Sequence, residues 1–113
     1  MSVKIDGTSI TMTRGDTLKV QFIPILKNNG EYTEYAPASG DSIRFAMKRR
    51  YEDNNVLISK AIPTDTFLLH LRPEDTKSLR FGHYVYDVEL TYANGEVDTY
   101  IDKATLTLSE EVD

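Results

Sequence analysis

A chain of 113 residues is long enough to bury one core and too short for two, so residues 1–113 are expected to form a single domain. The net charge of −5 at pH 7 speaks against a nucleic-acid partner, because phosphate contacts need clustered Lys and Arg, and the only dense basic cluster is Lys48-Arg49-Arg50. Cysteine is absent, which excludes a disulfide framework, a thiolate metal site and a thiol nucleophile.

No run of residues has the length of a membrane span. The opening Met1-Ser2-Val3-Lys4-Ile5-Asp6-Gly7 has no apolar core of a signal peptide, so a soluble protein made in a cytoplasm is expected. Residues 1–7 and 109–113 read as frayed ends.

In chain order, Ile10 and Met12 alternate with Ser9, Thr11 and Thr13, the period of two of a strand with one dry face. Arg14-Gly15-Asp16 reads as a turn. Leu18, Val20 and Phe22 alternate with Lys19, Gln21 and Ile23 until Pro24 interrupts, and proline confines a strand to an edge or a bulge. Ile25 and Leu26 resume the pairing, and Asn29-Gly30 is a strong hairpin signal leading into Glu31 to Tyr35.

Ala36 to Asp41 is a loop. Ile43, Phe45 and Met47 form the dry face of the next strand, with Arg44 and Lys48 on the wet side. A polar loop, Tyr51 to Asn55, leads to a short strand within Val56 to Ile62, which Pro63 closes. Phe67, Leu69 and Leu71 mark another strand. After a turn of helix around Pro73 to Lys77, Tyr84, Tyr86, Val88, Leu90 and Tyr92 give the longest alternation in the chain.

Asn94-Gly95 marks a second hairpin. With these two as its central residues, Tyr92 faces Val97, Leu90 faces Thr99 and Val88 faces Ile101. The apolar phase then slips from odd to even positions before Ala104, Leu106 and Leu108, which calls for a bulge near Asp102-Lys103. The sum is an all-β chain, an immunoglobulin-like antiparallel β-sandwich of seven to eight strands in Greek-key order with one helical turn at the E–F corner.

The Gly82-x-Tyr84 spacing fits a tyrosine corner, in which a tyrosine at the start of the F strand bonds back to upstream backbone. Gly82, Tyr84 and Leu79 are the expected structural corner, with the Tyr84 hydroxyl bonded to backbone between Leu71 and Leu79.

Chemistry is sparse. His70 and His83, the two histidines, fall on outward faces with no third ligand or nucleophile beside them. Asp53-Asn54-Asn55 lacks the spacing and distal Glu of a calcium loop. Neither glycine-rich phosphate loop occurs, so no enzyme activity, cofactor, metal or small-molecule substrate is expected. Arg14-Gly15-Asp16 matches an adhesive tripeptide but is ordinary turn chemistry.

Three runs carry a resemblance. They are R-G-D-T from Arg14 to Thr17, G-x-Y-x-x-Y-x-P-x-x-G-D-x-I-x-F-x-x-K from Gly30 to Lys48, and D-T-x-x-L-x-x-G-x-Y-x-Y-D-V-x-L from Asp75 to Leu90. The chain resembles small structural proteins of tailed bacteriophages and prophages, and among named families the N-terminal domain of phage baseplate upper proteins. That likeness implies a β-sandwich virion component, made in the bacterial host cytoplasm, that works by assembly with other virion proteins or in a cyclic homo-oligomer. A baseplate protein continues into a receptor-binding part. This sequence ends after the one domain, so baseplate, tail, neck and head are all open.

The expected interface is the hairpin carrying Tyr32 and Tyr35, the Val56–Ile58 edge, and Tyr51, because aromatics are enriched at interface cores and unpaired edges invite pairing. The alternative function is a carbohydrate- or cell-surface-binding module.

Overall fold

The computed structural model describes residues 4–110. The chain is mostly β, with ten strands among the described residues rather than the seven or eight expected. They are β1 (Lys4–Asp6), β2 (Ser9–Thr13), β3 (Leu18–Gln21), β4 (Ile25–Asn28), β5 (Glu31–Glu34), β6 (Ser42–Lys48), β7 (Ile58–Ile62), β8 (Leu68–Leu71), β9 (Gly82–Thr91) and β10 (Val97–Ser109). One helical turn, α1 (Pro73–Thr76), sits between β8 and β9. Within the stretches expected to fray, Lys4–Asp6 forms a strand and Ser109 pairs with Thr13. Residues 1–3 and 111–113 lie outside the described residues.

A six-stranded sheet runs β1-β2-β10-β9-β6-β7, and two-stranded sheets are formed by β3 with β8 and by β4 with β5. The large sheet is mixed, not purely antiparallel, because β2 lies parallel to β10 with Ile10 beside Leu106. Alternation decides what each strand buries. Ile43, Phe45 and Met47 of β6 and Tyr84, Tyr86, Val88 and Leu90 of β9 all face inward. Leu18 of β3 and Leu69 and Leu71 of β8 belong to the same hydrophobic cluster as these residues, so the two sheets share one core.

The second hairpin departs from its expected register. Thr91, not Tyr92, pairs with Val97. Gly95 N–H donates to the Tyr92 carbonyl at 2.9 Å, Tyr92 N–H donates to the Glu96 carbonyl at 2.8 Å, and Gly95 has φ +94°. This is a three-residue loop in which a glycine in the left-handed region forms a bulge, so Ala93 joins the turn. Leu90 therefore faces Asp98. A shift between Thr99 and Ile101 then restores Val88 opposite Ile101. A further shift precedes Ala104, where Lys103 has φ +58° and its N–H donates to Asp87 Oδ1 at 3.0 Å.

Pro24 separates β3 from β4. The strand does not resume against β8. Its continuation folds onto β5, with Asn28 opposite Glu31 across the Asn29-Gly30 turn. Tyr35 N–H donates to the Pro24 carbonyl at 3.0 Å, which ties the hairpin's base to the body.

At the free edge of the large sheet, β7 begins at Ile58. Its Lys60 sits opposite Phe45, on the inner face, and reaches Asp75 of α1 with Nζ to Oδ1 at 3.0 Å.

Candidate functional site

The strand directions give the large sheet two ends. At one end lie the β2–β3 turn, α1 and the start of β9. At the other lie the start of β6 and the β9–β10 turn.

The first end is a bonded corner. Thr76 is fully buried, and its Oγ1 accepts the Gly15 N–H at 2.8 Å. Arg14 stacks over the Phe81 ring at 4.2 Å, and its Nη1 donates to the Leu79 carbonyl at 3.2 Å. The Arg14-Gly15-Asp16 tripeptide is thus fastened to the loop after α1. Tyr84 is 2% exposed, and its hydroxyl donates to the Arg80 carbonyl at 2.6 Å. The acceptor lies one residue past the Leu71–Leu79 stretch expected. Leu79 is half-buried against the core.

Gly82 has φ +126°, and a Cβ there would come within 3.0 Å of Arg49 Nη1. That guanidinium stacks on Tyr84 at 4.9 Å and donates to the His83 carbonyl at 2.8 Å. Such contacts hold architecture. They place no nucleophile or base. His83 is exposed, with Nδ1 2.8 Å from Thr107 Oγ1, and His70 lies opposite Lys19 on the two-stranded sheet. Among the described residues, no group of three or more His, Asp or Glu is placed to hold a metal. Asp53 closes its own turn by accepting the Arg50 N–H at 3.2 Å.

The five expected interface residues do not share one surface. Tyr32 is 69% exposed and Val56 44%, but Tyr35 and Ile58 are each only 6% exposed. The Tyr35 ring packs edge-on against Phe67 and Tyr92, and its hydroxyl donates to Asp41 Oδ2. Ile58 faces inward because it pairs with Met47 on the inner side of the sheet. Tyr51 lies over the outer face of β6 and β9 beside Ala46, Lys48, Val85 and Asp87, with Lys103 Nζ 5.7 Å from its ring. Tyr32 stands on the hairpin at one end, whereas Val56 precedes the Ile58–Met47 pair near the other. The exposed Tyr32 and Val56 therefore lie at two separate places and not on one joint hairpin-and-edge surface.

A feature not anticipated from sequence lies at the hairpin end. Glu34, Tyr35, Ala36, Ala38, Asp41, Tyr92, Ala93 and Asn94 line an open cleft of about 550 Å³. Asp41 builds it. Its Oδ1 accepts the Ala93 N–H at 2.9 Å, and its Oδ2 accepts both the Ala38 N–H at 3.1 Å and the Tyr35 hydroxyl. The bond from Tyr35 holds the Asp41 carboxyl below its ordinary value of 3.8. Burial and that same bond push the Tyr35 phenol up to about 12. Burial raises the Tyr92 phenol, and Asp98, Asp41 and Glu96 add to the shift. The only sequence signals were Gly40-Asp41 and Asn94-Gly95, each legible as a turn and neither as one wall of a shared cleft.

No protein-family model matches the chain, and no curated protein matches it.

Proposed function

We propose that the chain is a non-enzymatic structural or accessory protein of a phage or prophage virion, an immunoglobulin-like Greek-key sandwich that acts by assembly with neighbouring virion proteins or copies of itself. Several features support the fold reading. The order β10-β9-β6-β7 corresponds to G-F-C-C′ of a variable-type domain, β3 with β8 corresponds to B with E, and Tyr84 stands near the start of the F-like strand. The sequence likeness to baseplate upper proteins and other small tailed-phage structural proteins supports the virion reading.

One observation carries the assembly reading. The β4–β5 hairpin forms a two-stranded sheet of its own, tied at its base by the Tyr35 N–H to the Pro24 carbonyl, every residue of β5 is exposed, and Ile25 is 52% exposed. A lone two-stranded hairpin is at best marginally stable in water, so one that keeps apolar and aromatic surface outward fits a contact element. The exposed tyrosines favour a sugar platform less. Tyr32 lies on the hairpin and Tyr51 beside Lys103, so they are not paired on one flat face.

The test is to express an epitope-tagged copy in the host while particles are produced, then band the particles on a density gradient. The tagged chain is expected in the particle band, with hairpin amides protected from hydrogen exchange there. A chain that stays in the soluble fraction while particles form normally would overturn the reading.

A further inference from the structure

The cleft between the loop 36–41 and the β9–β10 turn combines three properties that together define a ligand. It is an open, shallow cleft, it presents aromatic rings, and it is negatively charged. Tyr35 and Tyr92 meet in its wall with ring centroids 6.2 Å apart and an interplanar angle of 72°. Because Tyr35 is almost wholly buried while Tyr92 is half-buried, Tyr92 supplies the accessible ring face.

Glu34 and Asp41 line the cleft, and Asp98 and Glu96 lie close enough to Tyr92 to act on its phenol. Among the described residues that line it there is no lysine or arginine. A cation over an aromatic face is attracted by the ring's quadrupole, and carboxylates around that face add direct attraction. Asp41 itself is committed to three donors from this chain, so its role is to fix the walls and contribute charge. Glu34 and Asp98 are exposed and able to turn toward a guest.

We propose that this cleft is a docking site for a basic protein segment, with an arginine guanidinium seated on Tyr92 and paired with Glu34 or Asp98. The occupant is argued from charge complementarity. A planar guanidinium can both stack on a ring and bond a carboxylate in a fork, which an ammonium cannot. An anionic partner such as nucleic acid would meet repulsion from Glu34 and Asp41. The proposal deepens the assembly reading by naming the chemistry of a partner, and it rests on that reading only in taking the partner to be a protein.

The probe is acetyl-Gly-Arg-Gly-Arg-Gly-amide, titrated into the ¹⁵N-labelled chain and followed by amide shifts. The control is the same peptide with citrulline in place of each arginine, which keeps the shape and removes the charge. Shifts are expected at Tyr35, Asp41, Tyr92, Ala93 and Asn94 with the arginine peptide, and much smaller ones with the control.

Two variants separate the contributions. Tyr92→Leu keeps an apolar wall but removes the ring, and should weaken binding about two- to fivefold. The double variant Glu34→Gln with Asp98→Asn alters only exposed groups and should weaken it by at least a similar factor. Equal binding of the citrulline peptide, shifts located elsewhere, or no change in either variant would overturn the proposal. The outcome is separable from the particle test. A chain that binds the peptide yet never enters particles removes the virion reading and leaves this site standing.

Discussion

Lys60 on the edge strand β7 reaches beneath that edge to Asp75 on α1, with Nζ 3.0 Å from Oδ1. Asp75 is doubly used, because its Oδ2 also accepts the Arg72 N–H at 2.7 Å at the start of the helical turn. The lysine occupies an inward-facing position, opposite Phe45. An inward charge on an edge strand is one of the devices that stop sheets from pairing edge to edge. This bears directly on the expectation that the Val56–Ile58 edge would serve for association.

Replacing Lys60 by Val should therefore increase self-association. The ion pair is partly exposed, so its loss should change monomer stability by only about 0–1 kcal/mol. Sedimentation or light scattering over a concentration series should show dimers or larger species in Lys60→Val and fewer in the parent chain. A variant that stays as dispersed as the parent would show that other features blunt this edge.

The corner gives a second prediction. Tyr84→Phe keeps the ring in the core and removes the hydroxyl bond to the Arg80 carbonyl. Arg80 is exposed, so water can reach the abandoned acceptor, and the cost should be about 0.5–1.5 kcal/mol, the net worth of one hydrogen bond. Urea unfolding with an unchanged slope and a lower midpoint is the expected result. An unchanged midpoint would mean that the bond contributes nothing to the corner.

Thr76→Val should cost more. The two side chains are nearly isosteric, but the half-buried Gly15 N–H loses its acceptor on the fully buried Thr76. An amide left without a partner away from water costs about 1–3 kcal/mol. Thr76→Ser retains the hydroxyl and should recover most of that loss, which separates the bond from packing. If Ser and Val behave alike in urea, the methyl group and not the hydroxyl matters.

These cases also show what could be read from the residues alone. The dry faces of β6 and β9 were legible because a period of two along one strand needs no knowledge of the rest of the chain. The Asn29-Gly30 hairpin was legible for the same reason, and the bulge near Lys103 followed from a slip in apolar phase. The β9–β10 register was missed by one residue. Asn-Gly serves either as a two-residue turn or as the end of a three-residue loop, and Ala93 carries no signal to choose between them. Tyr35 was assigned to an interface because aromatics are enriched there and no inward strand position accounted for it. Its burial depends on Asp41, Phe67 and Tyr92, the last two far along the chain. Arg14 likewise finds Phe81 and Leu79 only through the fold.

The Tyr35–Asp41 bond predicts a pH signature. Asp41 has its folded value lowered below 3.8, so the stability it contributes is present above that pH and is lost as pH falls through the folded value. Tyr35 has its folded value raised from 10.0 to about 12, so the folded chain holds that proton more tightly than the unfolded one. Its contribution is present below pH 10.0 and is lost as pH climbs toward about 12. Tyr35→Phe removes the phenol and its bond to Asp41, and leaves Asp41 lowered only by the Ala38 and Ala93 N–H groups. Burial also pushes Tyr86 up to about 12 and raises Tyr100. Those two titrate in parent and variant alike and cancel in the difference. The gap in urea midpoint between parent and Tyr35→Phe should thus form a plateau through neutral pH. It should narrow on the acid side below 3.8 and on the alkaline side above 10.0. A gap that stays constant across the whole range would show that the two groups are not coupled in the folded protein.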